Sequence, residues 1–420
     1  MTRPIIGRVA SEQRRSPGAQ APGHAGRDVP VGVVAEPGTA RIAVDLLGGD
    51  HAPAVVVDGA LRACQADPAL QLLLVGPIEA AGEVLAALNP ADRARVTTLA
   101  APADRADLTG TTSPAGQPAD MRRASQSGVT QVEAGQGGAG RATAGQGEPG
   151  QGGAGQGGPG RGGPGRRRVS RDNAGRTSRP AESWVESGVR TAVLAVAQGL
   201  ADAAVSAGNT GATVTSAALG LGRWPGVRRP PLAAVLPTAA GRVVLLDVGS
   251  SVDSDENTLA MHAALGAAYA SVVHGVAEPR VGLLTIGTER GKGDRLRRAA
   301  ATLFPTLALP ANARYAGLVE GNDVVLGEVA DVVVCDGFTG NVLLKGLETA
   351  YAVVGPPGAA ADVPPRAAIL LGVAGTIVVC HGAADAHDLA AGIAFAADLH
   401  RRAVVAAIAG LIPHDEVAHD

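Results

Sequence analysis

Ile42-Ala43-Val44-Asp45-Leu46-Leu47-Gly48-Gly49-Asp50-His51 is the stretch on which the fold turns. A short apolar run ends in a carboxylate, passes through paired glycines, and gives way to an Ala/Val-rich pattern from Ala54 onward. A strand that feeds a turn and then a helix reads this way, and the same succession recurs down the chain. The apolar runs are Ile42 to Asp45, Leu70 to Gly76, Ala203 to Ser206, Leu232 to Leu236, Val243 to Asp247, Val281 to Gly287, Val332 to Asp336 and Ile377 to His381. Their unbroken apolar character predicts strands buried on both faces, so the expected class is α/β: a mostly parallel, Rossmann-like sheet covered by helices on both faces. Val189, Ala192, Val193 and Val196 fall at helical spacing and predict a helix over Val189 to Gln198.

Composition sets the outer limits. Of 420 residues, 46% are hydrophobic and 18% charged, enough for a large core, while 59 Gly and 28 Pro require a low-complexity segment somewhere. That segment is expected at 105–180, whose centre repeats Ala-Gly-Gln-Gly-Gly and Gly-Pro-Gly units. Around it we expect a disordered leader over 1–40, the α/β unit in two parts at 41–104 and 181–412, and a tail over 413–420. Gly135, Gly137 and Gly140 match GxGxxG by chance, since no strand precedes and no helix follows them.

A formal charge of -3 and 2% aromatic residues argue against a dedicated nucleic-acid binder. Arg161-Gly162-Gly163 and Arg166 to Arg168 are the one stretch that fits such a role, and no nucleic-acid partner is expected. The start of the chain lacks the apolar core of a secretory signal, and no run reaches the about 18 residues needed to span a bilayer. A cytoplasmic location is expected. Cys64, Cys335 and Cys380 are too few and too scattered for a disulfide framework or a zinc site, and read as core residues. No metal site and no cofactor is expected.

The chemistry is expected where the strands end. Gly48 and Gly49 allow close backbone approach, and Asp50 and His51 supply titratable groups, with Asp50 alternatively capping the next helix. Ser206-Ala207-Gly208-Asn209-Thr210-Gly211 would offer backbone amides and hydroxyls at a helix start, a nest suited to phosphate. Asp247-Val248-Gly249 forms a third cluster. In a fourth, Lys292 sits between Gly291 and Gly293 and would neutralise phosphate or a developing oxyanion. Asp336-Gly337-Phe338-Thr339-Gly340-Asn341, followed by Lys345, repeats the pattern, and His381-Gly382 closes the series as either a structural or a catalytic histidine.

Taken in order, these blocks resemble the phosphate acyltransferase family of bacterial phospholipid synthesis, the PlsX family. The resemblance rests on Ile42 to Pro53, Val205 to Ala212, Arg229-Pro230 with Leu232 to Pro237, and Leu246 to Gly249. It continues through Gly291-Lys292-Gly293, Val334 to Phe338, Gly340 to Lys345, Leu370 to Val373 and His381-Gly382. It implies transfer of a fatty acyl group from acyl carrier protein to inorganic phosphate, with no redox cofactor. Phosphate would be held by the Gly208 to Gly211 nest and Lys292, the oxyanion by Lys345 or backbone donors, and protons would pass through His51 or Asp50. Arg223, Arg228, Arg229, Arg295, Arg297 and Arg298 are candidates for a basic landing surface for the acidic carrier.

Homodimerisation, peripheral membrane contact and a downstream acyltransferase that uses the product are expected from the same resemblance. A phosphate acetyltransferase-like enzyme using a coenzyme A thioester, or a non-catalytic homologue that binds carrier or phosphate, are the competing readings. The chain departs from the family where Ser250 and Ser251 replace a common Ala-Asn, and where Pro356-Pro357-Gly358 and Pro364-Pro365 shorten the segment before Leu370.

Overall fold

The computed structural model describes residues 38–101, 180–289, 291–357 and 364–412. Most of the expected leader, the insert and the tail lie outside the described residues, as do Gly135, Gly137, Gly140 and the Arg161 to Arg168 stretch.

The elements follow one another as β1 (Ala40–Asp45), α1 (Ala54–Ala66), β2 (Leu70–Val75), α2 (Ile78–Ala87), α3 (Pro90–Arg93) and β3 (Val96–Leu99). Then come α4 (Pro180–Ala197), β4 (Ala203–Ser206), α5 (Thr210–Gly220), β5 (Leu232–Thr238), β6 (Gly241–Leu246), α6 (Glu256–His274) and β7 (Arg280–Leu284). The chain continues through α7 (Arg295–Leu303), β8 (Arg314–Val319), α8 (Gly321–Leu326), β9 (Val332–Val334) and α9 (Gly337–Val354). It ends with β10 (Ala367–Leu370), β11 (Thr376–Cys380), α10 (Ala386–Arg401) and α11 (Val404–Ala409).

The eleven strands of the described residues join one sheet in the order β3-β2-β1-β4-β11-β10-β5-β6-β9-β7-β8. Strands β3, β2, β1, β4 and β11 are mutually parallel, with Ile42 opposite Leu72 on one side and Ala203 on the other. Strand β10 is antiparallel to both β11 and β5, and β5 is antiparallel to β6. Strands β6, β9, β7 and β8 are again parallel to one another. Two antiparallel steps beyond β10 leave this second parallel group running opposite to the first. The sheet is therefore mostly parallel as expected, but its two halves present their carboxyl ends in opposite strand directions.

Side chains alternate across this sheet with the period of two that strands impose. Ile42, Val44, Leu72, Leu74 and Val334 pack on one face with Leu259, Tyr269 and Ile393 of α6 and α10. Ala43, Leu73, Val75, Val333 and Leu245 point to the other face and meet Ala192 and Val193 of α4. With both faces covered, nearly every central strand position is buried, which accounts for the continuous apolar runs.

Three described strands, β3, β8 and the four-residue β10, lie outside the apolar runs. Strand β8 is an edge strand whose residues are mostly half-buried, and β3 closes the other edge with Val-Thr-Thr-Leu, so neither needed a continuous apolar run. The helix α9 stops at Gly355, just before Pro356-Pro357, as the short proline-rich segment requires.

Candidate active site

The first group of site residues stands at the carboxyl ends of β1, β4 and β11. Asp45, the last residue of β1, is buried and accepts hydrogen bonds from Ser206 Oγ at 2.8 Å and from the Leu47 amide at 3.2 Å. Burial pushes its carboxyl up to about 6, against the opposing pull of those two bonds. Ser206 Oγ in turn accepts from the Gly208 amide at 3.0 Å. Gly48 lies so near this turn that a Cβ on it would sit 2.6 Å from the Gly208 nitrogen, so the two loops approach backbone to backbone.

The expected nest is thus partly committed to its own structure. The Gly208 amide serves Ser206, and the Ala212 amide serves Asn209 Oδ1, which caps α5. Among the described residues, the amides of Thr210 and Gly211 donate to no protein acceptor, and they head the helix with its positive dipole end. Asp50 does not cap α1: the helix starts after Pro53 with no side-chain cap bond, and Asp50 instead donates its amide to Gly382 O at 2.7 Å. His51 is exposed and makes no side-chain hydrogen bond among the described residues.

The second group stands at the ends of β6, β9 and β7. Asp247 is fully buried, and its carboxylate accepts from the amides of Leu232, Gly249, Ser250 and Ser251 at 2.7 to 3.1 Å and from Ser250 Oγ at 3.0 Å. Those five donors make it the clasp of its own turn. Ser250 Oγ also bonds Pro230 O, which ties the turn to the neighbouring segment.

Asp336 caps α9 through Thr339 and pairs with the Arg297 guanidinium. Burial pushes its carboxyl up, but the Thr339 bonds and Arg297 outweigh this and hold it below the ordinary aspartate value. Gly337 donates its amide to Ser251 O, and Gly340 lies against the Asp247 carbonyl, so both serve the packing of α9 on that turn. Asn341 donates Nδ2 to Val248 O at 3.0 Å rather than capping the helix. Arg297, expected on a landing surface, is buried by these contacts, which corrects that expectation.

Lys292, with Gly291 and Gly293 on either side, is exposed on the loop after β7, its Nζ 3.9 Å from Glu289 Oε2. Among the described residues no contact joins it to the first group. The link between the groups is Lys345 on α9, whose Nζ meets His381 Nε2 at the end of β11. His381 is also 4.0 Å from Glu348 Oε2, and its Nδ1 accepts from the Ala383 amide at 3.1 Å. Burial pushes the Glu348 carboxyl up, while His381, Lys345 and Arg366 oppose that rise. Because Gly382 holds the Asp50 amide, the Lys345–His381 contact ties α9 to the Gly48–Asp50 loop. Sequence reading left His381 undecided and did not single out Asp45 or Glu348, whose helical spacing one turn from Lys345 was the available signal.

The three cysteines are buried, and burial pushes every thiol up, Cys380 to about 12, so none is primed as a nucleophile. Among the described residues no His, Cys, Asp or Glu cluster has metal-binding geometry.

Comparison with known proteins agrees with this architecture. The sequence profile of a family described as "Fatty acid synthesis protein" matches residues 40–145 and 177–356. A phosphate acyltransferase from Thermobifida fusca strain YX is 44% identical over 221 residues, covering 46% of this chain and 61% of that relative. A phosphate acyltransferase from Gloeobacter violaceus is 32% identical over 386 residues, covering 85% of this chain and 92% of the relative. Among solved structures, the EutD phosphotransacetylase from Staphylococcus aureus superposes with a TM-score of 0.50 at 16% identity, covering 89% of this chain and 96% of that one, a likeness of fold. With the profile matching most of the chain and a 32% identical relative aligned over 85% of it, this chain belongs to the fatty acid synthesis protein family, the phosphate acyltransferases of the PlsX type.

Proposed function

We propose that this chain transfers an acyl group from a thioester to inorganic phosphate, releasing acyl phosphate and a thiol, with acyl carrier protein as the donor. Family membership supports the reaction class. The observation that carries the reading at the level of residues is the reach of Lys345 from α9 to His381, which sets an ammonium group beside the loops of β1 and β4. There the Thr210 and Gly211 amides head α5, a polar setting that matches a phosphate dianion.

The reaction needs one phosphate oxygen held near the thioester carbon and charge ready for the oxyanion that develops on the carbonyl oxygen. In this reading the Gly48–Gly49 loop and the head of α5 hold phosphate, and Lys345 stabilises the oxyanion. Lys292, on its exposed loop, meets charge at the rim. Asp247 and Asp336 keep the backbone of the second group in place rather than touch substrate.

The donor is approached through the exposed Arg223, Arg228 and Arg229, with Arg295 and Arg298 farther along. The exposed Phe338, Val342, Val353 and Val354 of α9 are the apolar surface that supports a homodimer or peripheral membrane contact. Among the described residues no helix is long and apolar enough to cross a membrane. A downstream acyltransferase would consume the acyl phosphate.

Purified protein mixed with long-chain acyl carrier protein and phosphate should yield acyl phosphate by mass spectrometry. Product from acyl coenzyme A but not from acyl carrier protein would favour the coenzyme A reading, and carrier binding without product would favour a non-catalytic homologue.

A further inference from the structure

We propose that Asp45 is the positioning residue of the phosphate site, its two carboxylate oxygens each pinning one of the two loops that hold the anion. This rests on the transferase reading above and deepens it by naming the group that sets the gap between those loops. Oδ1 accepts from the Leu47 amide at 3.2 Å and fixes the loop that leads into Gly48 and Gly49. Oδ2 accepts from Ser206 Oγ at 2.8 Å and fixes the turn that leads into α5. The single hydroxyl proton of Ser206 goes to Asp45, so its oxygen is turned to accept the Gly208 amide at 3.0 Å. One carboxylate thereby reaches through Ser206 to the backbone just ahead of Asn209, the cap of α5.

The strand ladder does not set this gap. Strands β1 and β4 pair from Ile42 with Ala203 to Val44 with Val205, and there their pairing stops. The next residues are Asp45 and Ser206, whose side-chain bond extends the pairing by one step. Packing around that bond is close. A Cβ on Gly48 would sit 2.9 Å from Ser206 Oγ, and Gly188 of α4 has no room for one beside Asp45 Oδ1.

A carboxylate is otherwise a poor choice for this place. Asp45 is 1% exposed, and among the described residues its partners are the Ser206 hydroxyl and the Leu47 amide, with no cation beside it. Burying a charge without a cation is unfavourable, and burial pushes this carboxyl up to about 6. An apolar side chain would avoid that penalty but would hold neither loop. The reaction needs both loops held, because an error near 1 Å in placing a reactant lowers the rate by about a hundredfold. In this role Asp45 touches no substrate and passes no proton; it acts through Leu47 and Ser206.

The test is steady-state kinetics with acyl carrier protein as donor, each substrate varied while the other is saturating. Asp45→Leu keeps the side-chain volume and loses both anchors, so phosphate KM should rise about tenfold while the donor KM stays unchanged. Asp45→Asn keeps an acceptor for Leu47 and a polar partner for Ser206, and it removes a negative charge from beneath the anion. Its phosphate KM should therefore lie at or below the wild-type value. A wild-type phosphate KM in Asp45→Leu would overturn the proposal, since volume alone would then suffice. Equal rises in Asp45→Leu and Asp45→Asn would also overturn it, by assigning the effect to charge, as would a rise in both KM values together, the mark of general loosening. Should Asp45→Leu not fold, Ser206→Ala decides: it cuts the Oδ2 arm alone and should raise phosphate KM about threefold, and an unchanged value refutes the role. Wild-type protein that forms no acyl phosphate would remove the transferase reading itself and the proposal with it, an outcome distinct from the loss of Asp45's part alone.

Discussion

Arg297 and Asp336 form an ion pair whose side chains are only 10% and 8% exposed, and it ties the start of α7 to the cap of α9. Arg297 also bonds Asp294 at 2.8 Å and Thr339 Oγ1 at 3.0 Å, so its guanidinium is shared among three partners. Removing one member of a buried pair leaves the other charge without compensation, at a cost of about 3–5 kcal/mol. Arg297→Ala should therefore lower unfolding free energy by about that amount in urea titration. Because the folded Asp336 carboxyl lies below the ordinary aspartate value, its contribution is complete above that value and fades as pH falls through the folded one. An acid titration of wild type and Arg297→Ala should show the gap closing only below about pH 4. A gap under about 1 kcal/mol at neutral pH would assign the pair no structural role.

Much of this was legible in the sequence because burial leaves a trace that a single chain carries. The Ile42 to Asp45 run and its successors had to be apolar throughout, since helices cover both sheet faces. The polar clusters were legible as strand ends for the same reason. What was not legible depends on pairing in space. The reversal at β10 is a matter of which neighbours a four-residue strand meets, and Ala-Ala-Ile-Leu says nothing of direction. Asp247 follows an apolar run just as a ligand-binding carboxylate would, and only its five donors reveal a turn clasp. The contact of Lys345 with His381 joins residues 36 apart, and no spacing announces it.

Asp45 gives the chain an unusual acid limb. Its carboxyl lies at about 6 when folded, against 3.8 for the free side chain, so the folded state holds a proton that the unfolded state has lost between those values. Stability must then fall as pH rises through that window, by roughly 3 kcal/mol if the whole shift is expressed. Asp45→Asn keeps an acceptor for the Leu47 amide and a polar partner for Ser206, but cannot ionise. Its unfolding free energy should change less than wild type between pH 4 and pH 7 in urea titrations. Parallel pH profiles for the two proteins would contradict the role given to burial.

Gly48 tests the close approach of the two loops. A methyl group there would meet the Gly208 nitrogen at 2.6 Å and Ser206 Oγ at 2.9 Å, and neither loop can yield without moving the head of α5. Gly48→Ala should cost about 1–3 kcal/mol in stability. A displacement near 1 Å should also lower kcat/KM for phosphate by about a hundredfold. Phosphate saturation curves at fixed donor concentration would measure this, and an unchanged phosphate KM would place the anion elsewhere.

Arg228 and Arg229 border a recess of about 540 Å³ shared with Asp253, Ser254, Asp255 and Thr258, and both guanidinium groups are exposed. The segment that carries them is held from below: His262 Nε2 bonds Arg229 O at 3.0 Å, and Ser250 bonds Pro230 O. Fixed cations on an exposed rim act on encounter with an acidic partner more than on the bound complex. Arg228→Glu with Arg229→Glu should raise KM for acyl carrier protein about tenfold at low salt, an effect that about 0.5 M salt largely removes. An acyl-pantetheine thioester carries no acidic protein, so its KM should be unchanged in the double variant. Equal effects on both donors would move the role of these arginines from carrier recognition to the reaction centre.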